Sequence, residues 1–195
     1  NVVWEETKGY CDYYYPRLEE FASQIPVDSK DYVFLGNSLT QGGKWEEYFP
    51  EVQAELERKG GSIRNRGIIG DTADGIYDRL EEIIKGKPAK LFFLTGANDI
   101  SHNLCADTIV GRIEKVIDRI QKECPKTKIY VESLLPFNES FKRYKALNGK
   151  THVVNETNAV LEKMCERRGV QYIYIHDLFL EDGSKEGLKA SISPD

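Results

Sequence analysis

Five short strand-like runs, alternating with segments of helical periodicity, constrain this chain more than any other feature. The runs are Tyr32–Leu35, Ser62–Arg66, Lys90–Thr95, Lys128–Leu135 and Val170–Ile175. Runs of this length, bounded by Gly, Pro or polar turn residues, read as strands of a sheet. Between them, apolar residues recur at helical spacing. Pro16 opens a predicted helix to about Ile25, with Leu18, Phe21, Ala22 and Ile25 on one face. Lys44–Lys59 is a charged amphipathic stretch broken at Pro50 and closed by Gly60-Gly61. Asp71 or Thr72 caps a helix predicted to run through about Lys85, striped by Ile76, Leu80, Ile83 and Ile84. Asp107 to about Glu123 carries Ile109, Ile113, Val116, Ile117 and Ile120 on one face, and Thr151 to Arg168 carries Val153, Thr157, Val160, Leu161 and Met164. Such alternation predicts an α/β protein: a five-stranded parallel sheet with helices on both faces, in three α/β/α layers. Strand order does not follow from the pattern alone.

With 195 residues, no internal repeat and no break in composition, residues 1–195 are expected to form one domain. Residues 1–30 are expected as a helical extension packed on it. Trp4, Tyr10 and Tyr13-Tyr14-Tyr15 make that extension aromatic, and the tyrosines are expected to cover the domain edge rather than to stack on carbohydrate. A hydrophobic content of 40% and a charged content of 30% are ordinary for a globular chain. The net charge of −5, without a dense Lys/Arg run, argues against nucleic acid or an anionic membrane surface as partner. No apolar run is long enough to span a bilayer. Cys11, Cys105, Cys124 and Cys165 are scattered with no CxxC pair, so neither a metal cluster nor a disulfide framework is expected. Cys124 and Cys165 are expected as packing residues. The chain opens on Asn1, as a processed or trimmed product would, which favours a secreted or periplasmic protein over a cytoplasmic one. Oligomeric state leaves no signature.

Three strand ends carry the same kind of feature: Gly36-Asn37-Ser38, Gly67 to Asp71, and Gly96-Ala97-Asn98-Asp99. In a parallel sheet these ends share one edge, where α/β folds bind ligands. Each loop brings a small residue, which admits a ligand to backbone N–H groups, and a polar side chain. A hydroxyl, a glycine N–H and a carboxamide are the parts needed to attack a carbonyl and to hold the resulting oxyanion.

These residues resemble the SGNH (GDSL-type) hydrolases, serine esterases and acylhydrolases on a flavodoxin-like α/β/α fold. FLGNSLT matches the first family block, NRGIIGDT (Asn65 to Thr72) the second, and GAND (Gly96 to Asp99) the third. The resemblance implies Ser38 as nucleophile and, through its own N–H, first oxyanion donor. Gly70 is implied as the second donor and Asn98 as the third. Asn37, Asp71 and Asp99 border the crevice on the substrate side, the aspartates as loop and cap residues rather than catalysts. Two positions depart from the family. Asn37 stands where the family usually has Asp, and it keeps an acceptor oxygen for the turn. Family members also close with Asp-x-x-His, where His is the general base and Asp orients it. Asp195 sits where that block begins, and the histidine would fall three positions on. His102, His152 and His176 are expected in surface or packing roles.

The implied activity is removal of a small acyl group, expected to be acetyl, from a carbohydrate or similar polar ester through an acyl-enzyme. It needs no cofactor or metal. The alternative is a non-catalytic carbohydrate- or acyl-binding relative without the base. A nucleotide or flavin binder is disfavoured, because the first loop lacks GxGxxG and GxxxxGK[ST].

Overall fold

A computed structural model describes residues 10–138 and 145–180. Trp4 and Asp195 lie outside the described residues. In chain order the elements are α1 (Tyr14–Ser23), β1 (Tyr32–Gly36), α2 (Ser38–Gly42), α3 (Trp45–Tyr48), α4 (Pro50–Arg58), β2 (Ile63–Gly67), α5 (Ala73–Asp78), α6 (Glu81–Gly86), β3 (Lys90–Leu94), α7 (Ala97–Ser101), α8 (Ala106–Glu123), β4 (Lys128–Glu132), α9 (Thr151–Arg168) and β5 (Gln171–Ile173).

The strands pair in parallel in the order β2-β1-β3-β4-β5. This is the doubly wound, flavodoxin-like order, and it makes the expected three-layer α/β/α fold. In register, Gly36 lies opposite Gly67 on one side and Leu94 on the other. The strands β1, β2 and β3 therefore finish level, and the loops that follow them start from one edge.

Alternation along the strands builds the layers. Val33, Leu35, Leu91, Phe93, Ile129 and Val131 are buried in a core shared with α5, α6, α8 and α9. On the other face Phe34 and Ile63 pack with Leu56 of α4, and the Phe34 ring stacks on Trp45 of α3 at 4.1 Å and on Phe92 at 4.8 Å. Cys124 and Cys165 are buried in the main core, as expected. The expected tyrosine edge is seen for Tyr10, Tyr14 and Tyr15, whereas Tyr13 is 60% exposed. Tyr14 is buried, stacks on Tyr10 at 4.1 Å and donates its hydroxyl to the Gly75 carbonyl.

Four differences from the sequence reading have local causes. The first helix is α1, beginning at Tyr14 and ending at Ser23, so Ile25 falls beyond its apolar face and is 70% exposed. The helix expected through Lys85 is divided into α5 and α6 at Arg79, whose side chain turns inward to three oxygen acceptors. Strands β4 and β5 are shorter than expected because Ser133 ends the ladder. Its Oγ takes up the backbone N–H groups of Ile175 and His176, at 3.0 and 3.1 Å. Finally, α2 and α7 are short helices immediately after β1 and β3, and they hold the expected site residues Ser38 and Asn98.

The approach of α2 to β2 is tight. A Cβ on Gly67 would overlap the Gln41 backbone nitrogen and come within 2.7 Å of the Gln41 Cα. Backbone cannot swing aside as a flexible side chain can. Gly67→Ala is expected to lower the unfolding free energy by about 1–3 kcal/mol, the usual cost of overpacking. Urea unfolding of both proteins measures this, and an unchanged midpoint would show that α2 shifts freely.

Candidate active site

The site grows from the three level strand ends. Past Gly36 the chain turns at Asn37, which is 2% exposed. Asn37 caps α2: its Oδ1 accepts the Leu39 N–H at 3.1 Å, and its carbonyl accepts the Gln41 N–H at 2.9 Å. A neutral acceptor suffices for this cap, so Asn in place of Asp leaves the turn intact. Ser38 begins the helix and is exposed. Its N–H, like any first helical N–H, lacks an intrahelical partner, and it meets no acceptor among the described residues.

The second loop is tied to the first. The Asn65 carboxamide donates towards the carbonyls of Thr40, Gln41 and Gly43 at 2.9–3.1 Å, closing the C-terminal end of α2, and its Oδ1 accepts the Gly67 N–H. Gln41 returns the link by accepting the Ile69 N–H at 2.7 Å. Gly70 follows at φ +77°, a left-handed conformation that glycine adopts without strain. Its N–H also meets no acceptor among the described residues. From the N-terminal segment Cys11 donates its thiol to the Ile69 carbonyl at 2.7 Å and packs against Gly70.

The third loop joins the second through Asn98, whose Nδ2 donates to the Asp71 carbonyl at 2.7 Å. A carboxamide nitrogen has two hydrogens. One fixes the side chain in place, and the other meets no acceptor among the described residues. Asp99 is fully buried and accepts the Ala73 N–H at 3.1 Å, which holds the first turn of α5. Asp71 accepts the Thr72 N–H through Oδ1 and the Arg79 Nε–H at 2.8 Å through Oδ2. Burial pushes the Asp71 carboxyl up from its ordinary pKa, while the Arg79 guanidinium pulls it back.

Ser38, Gly70 and Asn98 thus belong to one hydrogen-bonded group of loops. The three residues expected beside the substrate, Asn37, Asp71 and Asp99, have buried side chains whose hydrogen bonds run to the backbone and to Arg79. His102 and His152 are exposed. His176 is buried, with Nδ1 3.1 Å from Asp177 Oδ1. None of the three is hydrogen-bonded to Ser38. The bonds that Asn65, Gln41 and Arg79 make between the loops do not follow from the sequence pattern. A carboxamide inside a strand and an arginine in a helix otherwise striped with isoleucine and leucine were the available signals. A cavity of about 590 Å³ lined by Lys87, Pro88, Lys90 and Lys128 opens at the opposite, N-terminal end of the sheet and takes no part in the site.

Asp99 makes the fold sensitive to pH. Burial pushes its pKa to about 6, against the smaller opposing effects of the Ala73 N–H and of Arg112, whose Nη1 is 3.7 Å away. The native state therefore holds this proton more tightly than the unfolded chain. The stabilisation is full below about pH 4, where both states are protonated, and is lost as pH rises to about 6. Relative to Asp99→Asn, the native protein is expected to gain thermal stability as pH falls from 7 towards 4. Melting curves of both proteins across that range test this, and a constant difference would contradict it.

Comparison with known proteins gives the family of the chain. The GDSL-like Lipase/Acylhydrolase family pattern matches residues 34–191, and the chain belongs to that family. Over 124 residues it is 30% identical to Platelet-activating factor acetylhydrolase IB subunit alpha2 of Rattus norvegicus, covering 63% of this chain and 51% of the rat protein. The chain thus spans about half the length of the curated relatives it matches. Among solved structures, a GDSL-like lipase from Bacteroides thetaiotaomicron superposes with a TM-score of 0.73 at 22% identity, covering 93% of this chain and 86% of that one. An acetyl xylan esterase superposes with a TM-score of 0.66 at 21% identity, covering 85% and 89%. At these identities the two structures share the fold.

Proposed function

We propose that the protein is a carboxylic ester hydrolase in which Ser38 attacks the ester carbonyl and carries the acyl group. The observation that carries this reading is the arrangement of donors: the backbone N–H groups of Ser38 and Gly70, which meet no acceptor among the described residues, and an Asn98 amide pinned by one of its two hydrogens. Unspent donors on rigid supports are what a developing oxyanion requires, because nothing need reorganise as charge forms.

In the first step the Ser38 Oγ–H proton passes to a general base as the Oγ–C bond forms. The carbonyl oxygen, now an anion, accepts bonds from Ser38 N–H, Gly70 N–H and Asn98 Nδ2. Collapse expels the alcohol, which takes the proton from the base. Water then attacks the acyl-enzyme with the same base accepting its proton, and as the C–Oγ bond breaks the base returns that proton to Ser38 Oγ and the acid leaves. On the family's pattern the base would be the histidine of an Asp-x-x-His block that Asp195 would open. Asn37, Asp71 and Asp99 shape the loops around the substrate rather than touching it.

The acyl group in this reading is small, acetyl above all, and the alcohol is a carbohydrate or similar polar ester. Likeness to an acetyl xylan esterase and to an acetylhydrolase subunit supports this choice. A panel of 4-nitrophenyl esters from acetate to octanoate, together with acetylated xylooligosaccharides, tests it. Preference for acetate and acetate release from the sugar are expected, and preference for octanoate would overturn the choice. The alternative is a binding relative without turnover. It predicts equal ligand affinity in the native protein and in Ser38→Ala, with no acid released by either.

A further inference from the structure

We infer that Arg79 is a positioning residue for ester hydrolysis, holding the nucleophile turn and the oxyanion loop in mutual register through one guanidinium group. The inference rests on the esterase reading above. Arg79 lies 41 residues after Ser38 in sequence, at the break between α5 and α6, and its side chain is 3% exposed. Its three nitrogens go to three different pieces of the site. Nη2 donates to the Gly36 carbonyl at 3.0 Å, two residues before Ser38. Nη1 donates to the Arg66 carbonyl at 2.9 Å, at the end of β2 where the oxyanion loop begins. Nε donates to Asp71 Oδ2 at 2.8 Å, one residue after Gly70, and the Asp71 carbonyl in turn accepts the Asn98 amide.

A single rigid fork thus fixes, at one remove, the origin of all three oxyanion donors. Planarity is what makes this possible. The guanidinium presents divergent N–H groups in fixed directions, whereas a lysine ammonium is a compact charge on a flexible stem that cannot serve all three acceptors. Strands β1 and β2 are already paired by backbone bonds, so the sheet does not depend on this group. What the guanidinium adds is the tie from those strands to the loop at Asp71, where a displacement of about 1 Å is enough to cost about 10²-fold in rate.

The test is steady-state kinetics of the full-length protein on 4-nitrophenyl acetate, with Ser38→Ala as reference. Arg79→Ala and Arg79→Lys are each expected to lower kcat by about 10²-fold while KM changes by less than about threefold. Millimolar guanidinium chloride is expected to restore part of the lost kcat to Arg79→Ala in a saturable way, and equal sodium chloride is not. A merely structural role would lower the melting temperature without a rescue specific to guanidinium. If Arg79→Ala does not fold, the isosteric Asp71→Asn decides: a fall in kcat of about tenfold with unchanged circular dichroism supports the inference, being the worth of one charge-assisted bond. Folded Arg79 variants with native kcat, or a native kcat in Asp71→Asn, overturn it. Turnover retained in Ser38→Ala overturns the esterase reading instead.

Discussion

Ser38→Ala is expected to lower kcat on an acetyl ester by about 10⁴-fold or more while leaving the fold unchanged. Serine nucleophiles act as a unit with their base, and loss of the hydroxyl removes the covalent route altogether. The Ser38 side chain is exposed, and the cap of α2 is made by Asn37, so stability is expected to stay within about 0.5 kcal/mol of the native value. Kinetics and urea unfolding on the same preparation check both halves. A large stability loss would mean that the hydroxyl supports the turn, and retained turnover would mean that another residue carries the acyl group.

Asn98→Ala is expected to cost about 10²–10³ in kcat, the range found when one oxyanion donor is removed. Two effects compete here. The substitution removes the donor, and it also removes the bond that ties the third loop to the Asp71 carbonyl. The tie is worth about 1 kcal/mol of stability as an ordinary hydrogen bond. The donor, in contrast, acts only as negative charge develops. A kcat loss of several hundredfold with a stability loss near 1 kcal/mol and a nearly native KM assigns the effect to the transition state. A kcat loss of only a few fold would assign Asn98 to loop anchoring alone.

Much of this architecture is legible in the sequence because its signals are local. Gly-Asn-Ser after an apolar run, and Gly-Ala-Asn-Asp after another, announce strand ends that share one edge of the sheet. Helix α9 was predicted with the bounds observed, since Gly169 adopts the left-handed conformation that closes it. The misses depend on distant partners. Nothing near Arg79 states that its acceptors lie at Gly36 and Arg66, so periodicity carries a helix through it. Asn65 reads as an ordinary polar residue in a strand until its bonds to the end of α2 are seen. Ser133 ends two strands at once through one hydroxyl, which no single-strand pattern foretells. Burial of Asn37, Asp71 and Asp99 is likewise a property of the assembled loops. Their sequence positions place them beside the crevice, and only the assembled structure shows that their side chains are bonded to the backbone and to Arg79.

The placement of Ser38 as the reacting atom's carrier is tested most directly by covalent trapping. The full-length protein would be treated with a serine-reactive fluorophosphonate and with 4-nitrophenyl acetate, quenched, digested and mapped by mass spectrometry. The account predicts a single phosphonyl adduct on the peptide bearing Ser38, formed in step with loss of turnover, and an acetyl group on the same residue during hydrolysis. Ester turnover that continues with Ser38 unmodified, or an adduct forming equally fast on another residue, would contradict it.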